Sequence, residues 1–86
     1  MSYEVRWTKT ALNSLKRIRR DDAERIINKV EEIKNNPYKY VKKLKGLPFY
    51  SLRVGKYRVI LVIEAKKLII FVLEVEHRRS VYKKLK

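Results

Sequence analysis

Apolar residues recur along the chain with two spacings, and each spacing predicts a different kind of element. Near the N-terminus they occupy every second position, which is typical of a half-buried strand: Tyr3, Val5 and Trp7. Two segments with helical spacing follow, with apolar positions Ala11, Leu12, Leu15 and Ile18 in the first and Ala23, Ile26, Ile27, Val30 and Ile33 in the second. We therefore expect one strand and then two helices, whose short connection predicts an antiparallel hairpin.

Polar residues and one proline mark the ends of the two predicted helices. Thr8 stands where it can cap the first helix. The polar sequence from Arg19 to Asp22 ends that helix, and Asp21 or Asp22 is expected to cap the second. Asn35-Asn36-Pro37 closes the second helix, because proline cannot continue it.

The second half of the chain has the pattern of three strands after an irregular, lysine-rich segment over residues 38–48. The predicted strands are rich in Val, Ile and Leu and cover Tyr50 to Val54, Tyr57 to Glu64 and Leu68 to Val75. Their connections are short enough for hairpin turns, so the strands form a meander. We expect an α+β fold with the order β-α-α-β-β-β, in which one curved, mainly antiparallel sheet carries the helical hairpin on one face. Residues 1–86 form a single domain in this prediction, with residues 78–86 as a short helical turn or a basic tail.

The balance of charge is strongly positive. The 86 residues include 23 Lys and Arg but only 9 Asp and Glu, which gives a net charge of +14. Such an excess repels itself in a compact chain. It indicates a polyanionic partner, with nucleic acid before an anionic membrane surface, or an acidic protein partner; a generally basic proteome would be the plainest explanation.

Several kinds of site and location are excluded by composition. The chain has no cysteine and one histidine, His77, so a disulfide framework, a thiolate nucleophile and a His-rich metal site are not expected. The N-terminus lacks the apolar core of a signal peptide. No apolar run approaches the roughly 18 residues that span a bilayer. We expect a cytoplasmic protein with no membrane partner.

Cationic and phenolic side chains are the candidates for chemistry. If Leu52 and Val54 face the helices, Arg53 faces the open side of the sheet. The meander can then bring together one set of catalytic candidates, which are Arg53, Arg58, Arg78 and Tyr82. Taken singly, each arginine is more often a solvated strand or tail residue, and Tyr82 an apolar anchor.

A second set of basic residues is suited to binding the phosphates of RNA, although the lysines are equally typical of a solvated loop: Lys42, Lys43, Lys45 and Arg79. The sequence shows neither a pair of carboxylates suited to a metal nuclease nor a glycine-rich phosphate loop. A cationic set can stabilise a pentavalent phosphorane without metal or cofactor. RNA supplies its own nucleophile, the 2′-hydroxyl.

Two stretches of the sequence resemble a known family. They are KLKGLPFYSLRVGKYRVIL from Lys43 to Leu61 and HRRSVY from His77 to Tyr82, and with the order of elements they are similar to RelE toxins of the RelE/ParE superfamily. The resemblance implies the toxin of a type II toxin–antitoxin system. It further implies ribosome-dependent cleavage of mRNA through attack of a 2′-hydroxyl on the adjacent phosphate, and a cognate RelB-like antitoxin, acidic or amphipathic, that blocks the toxin.

The resemblance also implies roles for the candidate residues. Arg53 matches a basic second-strand residue and Arg58 an arginine that stabilises the transition state. Arg78 matches an arginine that donates a proton to the leaving oxygen, and Tyr82 a tyrosine that activates the 2′-hydroxyl or stacks on a base. The identity of the general base stays open.

Two positions depart from the pattern of the better-known members. Ser51 and Arg53 stand where those members carry two lysines, and Glu76 stands where glycine is frequent. These departures imply either weaker activity or substitution by a neighbour such as Lys45. Two alternatives therefore remain. One is a ParE-like, non-catalytic inhibitor of DNA gyrase on the same scaffold, and the other is an RNA- or ribosome-binding module with weak or no catalysis.

Overall fold

A computed structural model describes residues 2–77 and shows two helices on one face of a five-stranded sheet. The elements in chain order are β1 (Glu4–Trp7), α1 (Lys9–Lys16), α2 (Arg20–Ile33), a 3₁₀ turn (Pro37–Lys39), β2 (Lys42–Lys43), β3 (Tyr50–Val54), β4 (Tyr57–Glu64) and β5 (Ile69–His77). The predicted α+β fold is confirmed. The short β2 is an addition, because it lies in the segment predicted to be irregular. No helix within residues 2–77 is long and apolar enough to cross a membrane.

The sheet has the strand order β1-β5-β4-β3-β2 and is mainly antiparallel, as expected. Only the pairing of β1 with β5 is parallel among the described strands. The helices contribute one apolar stripe each, and α1 packs on β5 while α2 contacts β3. The core that results is made of aliphatic side chains: Ala11, Leu15, Ile26, Val30, Ile33, Leu52, Val54, Val59, Leu61, Ile70, Val72 and Val75. The opposite face of the sheet carries neither helix.

Of the two predicted helix caps, one is confirmed and the other is wrong. Thr8 caps α1 as expected, since its hydroxyl oxygen accepts a hydrogen bond from the backbone N–H of Ala11 at 3.2 Å. The expected cap of α2 by Asp21 or Asp22 is wrong. The helix begins at Arg20, with Arg19 as a cap residue whose side chain makes no capping hydrogen bond. Both carboxylates lie in the first turn instead, where they interact favourably with the positive end of the helix dipole.

A β-bulge curves the sheet beneath α1. The register between β4 and β5 shifts, because Ile60 pairs with Glu74 while Leu61 pairs with Val72. One extra residue on β5, Leu73, is therefore left between the two pairs, and such an insertion bends the strand and increases its twist. The Thr8 hydroxyl donates to the carbonyl oxygen of Val72 at 2.8 Å, which ties the start of α1 to the bulge.

A two-residue turn sets the register of β3 against β4. Gly55 has a φ of 58°, a left-handed conformation that a residue without Cβ adopts at little cost. Such a conformation suits the first central position of a primed hairpin turn, whose twist matches that of the strands. With Val54 opposite Tyr57, Arg53 comes to lie opposite Arg58. The turn thereby places the two arginines next to each other.

Candidate functional site

The register places two arginines and one glutamate in a row across three neighbouring strands. Arg53 on β3 lies opposite Arg58 on β4, and Arg58 lies opposite Glu76 on β5. Leu52 and Val54 are buried against the helices while Arg53 is exposed, so Arg53 faces the open side as expected. Like charges directly opposite each other on paired strands are destabilising. The pairing of Arg53 with Arg58 therefore does not serve stability and favours an anion between them.

A second row of paired residues lies beside the first and includes a lysine. Lys42 on the edge strand β2 pairs with Ser51 on β3, and Ser51 pairs with Ile60 on β4. A pocket of about 150 Å³ lies between the rows, with lining residues Tyr40, Lys42, Ser51, Arg53 and Arg58. Three of these five carry a positive charge. The structure thus brings together three of the residues proposed from the sequence, namely Lys42, Arg53 and Arg58.

The chemistry of this pocket is that of an anion site. None of the described residues that line it is acidic, and the planar guanidinium of arginine matches phosphate through two parallel hydrogen bonds. Its volume is small beside the roughly 300–1,000 Å³ of typical small-molecule sites. It suits a phosphate group whose attached sugar and base extend outside. No group of three His, Asp or Glu side chains within residues 2–77 is placed to hold a metal ion.

The other two lysines of the predicted binding set lie away from this pocket. Lys43 pairs with Tyr50, and Lys43 and Lys45 line a separate depression of about 580 Å³ formed by residues 43–48. Substitution for the missing second-strand lysine by a neighbour such as Lys45 stays a prediction. The structure places Lys42 directly across from Ser51. Arg78, Arg79 and Tyr82 lie outside the described residues.

His77 and the arginine pocket lie on opposite faces of the sheet. It ends β5 opposite Tyr57, and the two rings meet edge to face with their centroids 5.8 Å apart. Glu76, its neighbour, is the residue opposite Arg58. Because neighbouring residues of a strand face opposite sides, His77 lies on the side of the sheet that faces the helices.

Tyr40 is a member of the pocket that the sequence reasoning did not select. It follows the 3₁₀ turn and remains 40% exposed. Two lysine ammonium groups approach its ring, Lys29 at 5.2 Å and Lys39 at 5.8 Å from the centroid. The only signal in the sequence was an aromatic residue among lysines in a segment without periodicity, which does not reveal where the side chain lies.

Tyr57 links the beginning of β4 to the first turn of α2. Its hydroxyl donates to Asp22 Oδ2 at 3.2 Å. Partial burial raises the pKa of Tyr57, and the neighbouring Asp22 carboxylate raises it further. Tyr57 therefore makes a polar contact in addition to its packing against the core, and this contact holds the strand next to Arg58.

The raised pKa of Tyr57 predicts a loss of stability in alkali that depends on this residue. The fold favours the neutral phenol, so its contribution is complete below the ordinary tyrosine pKa of about 10 and is lost as the pH rises through the higher folded value. We expect Tyr57→Phe to lower the free energy of unfolding by about 1 kcal/mol at pH 8, through loss of one hydrogen bond. The difference from wild type should shrink above pH 10, as measured by urea denaturation.

Tyr38→Phe is the matched control for this measurement. Burial, followed by the neighbouring Tyr3, Tyr50 and Glu64, also raises the pKa of Tyr38, but no Asp22 contact is involved. If Tyr57→Phe and wild type lose stability in parallel between pH 8 and pH 11, the proposed link between α2 and β4 is wrong.

Comparison with known proteins shows the family. The family model described as ParE toxin of the type II toxin–antitoxin system parDE matches residues 5–82. Among solved structures, the toxin–antitoxin complex RelBE2 from Mycobacterium tuberculosis aligns with a TM-score of 0.84 and 25% identity over 91% of this chain and 100% of that chain. The archaeal RelE–RelB complex from Pyrococcus horikoshii OT3 aligns at 0.77 and 27% over 91% and 97%.

Of these three structures, the third has the highest sequence identity to this chain. The RelB–RelE antitoxin–toxin complex from Methanococcus jannaschii is 31% identical, with a TM-score of 0.71 over 90% of this chain and 94% of that chain. No match is found among curated protein sequences. The family model nevertheless extends from β1 to beyond the end of β5. The chain therefore belongs to the ParE toxin family of type II toxin–antitoxin systems, within the RelE/ParE superfamily that its sequence resembles.

Proposed function

We propose that the protein is a ribosome-dependent endoribonuclease that cleaves mRNA without metal or cofactor, by attack of a 2′-hydroxyl on the adjacent phosphate. The observation that carries the proposal is the phosphate-sized pocket lined by Lys42, Arg53 and Arg58. RNA brings the nucleophile, so that the protein must orient the reacting groups and stabilise charge.

Arg58 is the residue best placed to stabilise the transition state. It lies on β4, which is paired on both sides, with β3 and with β5. A side chain on an interior strand is held more firmly than one on a loop, and preorganised charge is what lowers a barrier at a phosphorane. Arg53 adds a second guanidinium from the paired strand. Lys42 approaches from the edge strand β2.

Arg53 and Arg58 are proposed to stabilise charge, so that proton transfer falls to other groups. The resemblance assigns protonation of the leaving oxygen to Arg78 and activation of the 2′-hydroxyl to Tyr82. We keep these two assignments as part of the proposal.

The remaining basic residues are proposed to hold RNA and the ribosome. Lys43 and Lys45 surround a depression next to the pocket strand β3, and Arg79 belongs to the same set. With a net charge of +14, binding to RNA should weaken steeply as salt rises, since each neutralised phosphate releases counterions. This behaviour fits a toxin that works in the cytoplasm on the translation machinery.

An acidic or amphipathic RelB-like antitoxin is the proposed partner. The structural relatives above are complexes of a toxin with its antitoxin, and the charge of this chain calls for an acidic counterpart. We expect the protein and its cognate antitoxin to elute together at about 0.15 M salt, where the Debye length is about 8 Å, and the mixture to be inactive. Separate elution at that salt concentration would count against this partner.

The family model itself favours one alternative, inhibition of DNA gyrase, because its description is that of ParE toxins. Two assays run side by side separate the alternatives. One is primer extension on a defined mRNA in a translating extract, and the other is supercoiling of plasmid DNA by purified gyrase. We expect new 5′ ends within codons that require ribosomes, and unchanged supercoiling. Intact mRNA with blocked supercoiling would overturn the proposal, and ribosome binding without cleavage would indicate a module with little or no catalysis.

A further inference from the structure

One wall of the pocket is an exposed aromatic ring held on a rigid support. Tyr40 follows the 3₁₀ turn Pro37–Lys39, and its backbone N–H donates to the Pro37 carbonyl at 3.1 Å. Pro37 itself is fully buried, so the turn is anchored in the molecule. The ring that this turn presents is 40% exposed and adjoins the three cations of the pocket.

Two lysines that do not line the pocket also lie close to this ring. Lys29 of α2 and Lys39 of the turn both place their ammonium groups within 6 Å of the ring centroid. An aromatic ring set among cations is the arrangement that binds single-stranded nucleic acid, because the cations follow the phosphates while the ring stacks on a base. Packing alone does not account for Tyr40, since its ring is not part of the hydrophobic core.

The size of the pocket decides which part of a nucleotide meets Tyr40. A volume of about 150 Å³ accommodates a phosphate but not a whole nucleotide. The sugar and base attached to that phosphate must therefore extend out of the pocket, past Tyr40. We propose that Tyr40 stacks on the nucleobase next to the phosphate bound by Lys42, Arg53 and Arg58. Tyr40 is then a substrate-binding residue that selects unpaired RNA. This inference rests on the proposed function, because it takes single-stranded RNA as the ligand.

The test measures binding of a fluorescent 2′-O-methyl hexanucleotide, which cannot be cleaved, at low salt. The oligonucleotide is used intact and with one abasic site at each position in turn. For the wild type, one abasic position should weaken binding by about 5- to 150-fold, the range found for loss of one base–aromatic stack. Tyr40→Leu should bind the intact oligonucleotide more weakly than the wild type does, by a similar factor. In this variant the abasic site should cause no further loss of affinity. Tyr40→Phe should behave like the wild type.

Tyr38→Leu is the matched control, because Tyr38 lies on the same turn with a similar exposure of 44% and is not among the residues that line the pocket. Tyr38→Leu should still bind the abasic oligonucleotide more weakly than the intact one, as the wild type does. An undiminished abasic effect in Tyr40→Leu, or no binding by the wild type, would overturn the inference. Failure of the proposed function would look different, since mRNA would stay intact in a translating extract while the oligonucleotide still bound through Tyr40.

Discussion

Replacing Arg58 by alanine is expected to lower the rate of ribosome-dependent mRNA cleavage by about 100- to 1,000-fold, the usual effect of removing one preorganised donor from a transition state. Arg58 lies opposite Arg53 on an interior strand and lines the phosphate-sized pocket. Its charge is needed most when negative charge builds up on the phosphorane oxygens. The loss should therefore appear in the single-turnover rate at saturating ribosomes, with a much smaller effect on toxin binding to ribosomes.

Arg20→Ala provides the matched control for this prediction. It removes the same charge from a side chain that is 94% exposed at the start of α2 and does not line the pocket. We expect Arg20→Ala to cleave at nearly the wild-type rate. The rate of Arg58→Lys should lie between those of the wild type and Arg58→Ala, because lysine keeps the charge but lacks the planar guanidinium group. Equal rates for Arg58→Ala and Arg20→Ala would remove Arg58 from the catalytic site.

The position of the two arginines could be predicted from the sequence because two local rules act together. Alternation of apolar residues decides which face of a strand is buried, so Leu52 and Val54 inside imply Arg53 outside. A two-residue connection then fixes the pairing of the strands. The observed pairing of Arg53 with Arg58 is the product of these rules, and neither requires knowledge of distant parts of the chain.

The parts of the site that were missed lie where such rules do not apply. Residues 38–48 have no hydrophobic period, so neither β2 nor the position of Tyr40 could be derived from spacing. The pairing that places Lys42 across from Ser51 involves the same segment and could not be derived from spacing either. Substitution by Lys45 stays a prediction.

The arrangement of charges in the sheet also shows a compromise between stability and binding. Arg53 and Arg58 oppose each other, which disfavours folding, while Glu76 on the far side of Arg58 supplies an opposite charge in the same row. Glu76 thus offsets part of the repulsion without lining the pocket. The glutamate that departs from the family pattern is compatible with a pocket that stays positive where phosphate would bind.

Exchanging Lys42 and Ser51 tests whether Lys42 replaces the second-strand lysine of the better-known members. We expect Lys42→Ser to lower single-turnover cleavage by about 100-fold, because one of the three pocket cations is lost. The double variant Lys42→Ser with Ser51→Lys should recover most of that loss. The two residues face each other across β2 and β3, and directly opposite side chains on paired strands have their Cβ atoms only about 5 Å apart, so the ammonium group can reach the same pocket from either strand.

Lys66→Ala serves as the control, because Lys66 is exposed in the turn between β4 and β5 and loses the same charge without touching the pocket. It should cleave like the wild type. A double variant as inactive as Lys42→Ser, with an unchanged fold by circular dichroism, would show that the lysine must act from β2. Undiminished cleavage in Lys42→Ser would show instead that Arg53 and Arg58 suffice. Recovery in the double variant would mean that the chemistry requires a cation at one place in the pocket rather than a lysine at one place in the sequence.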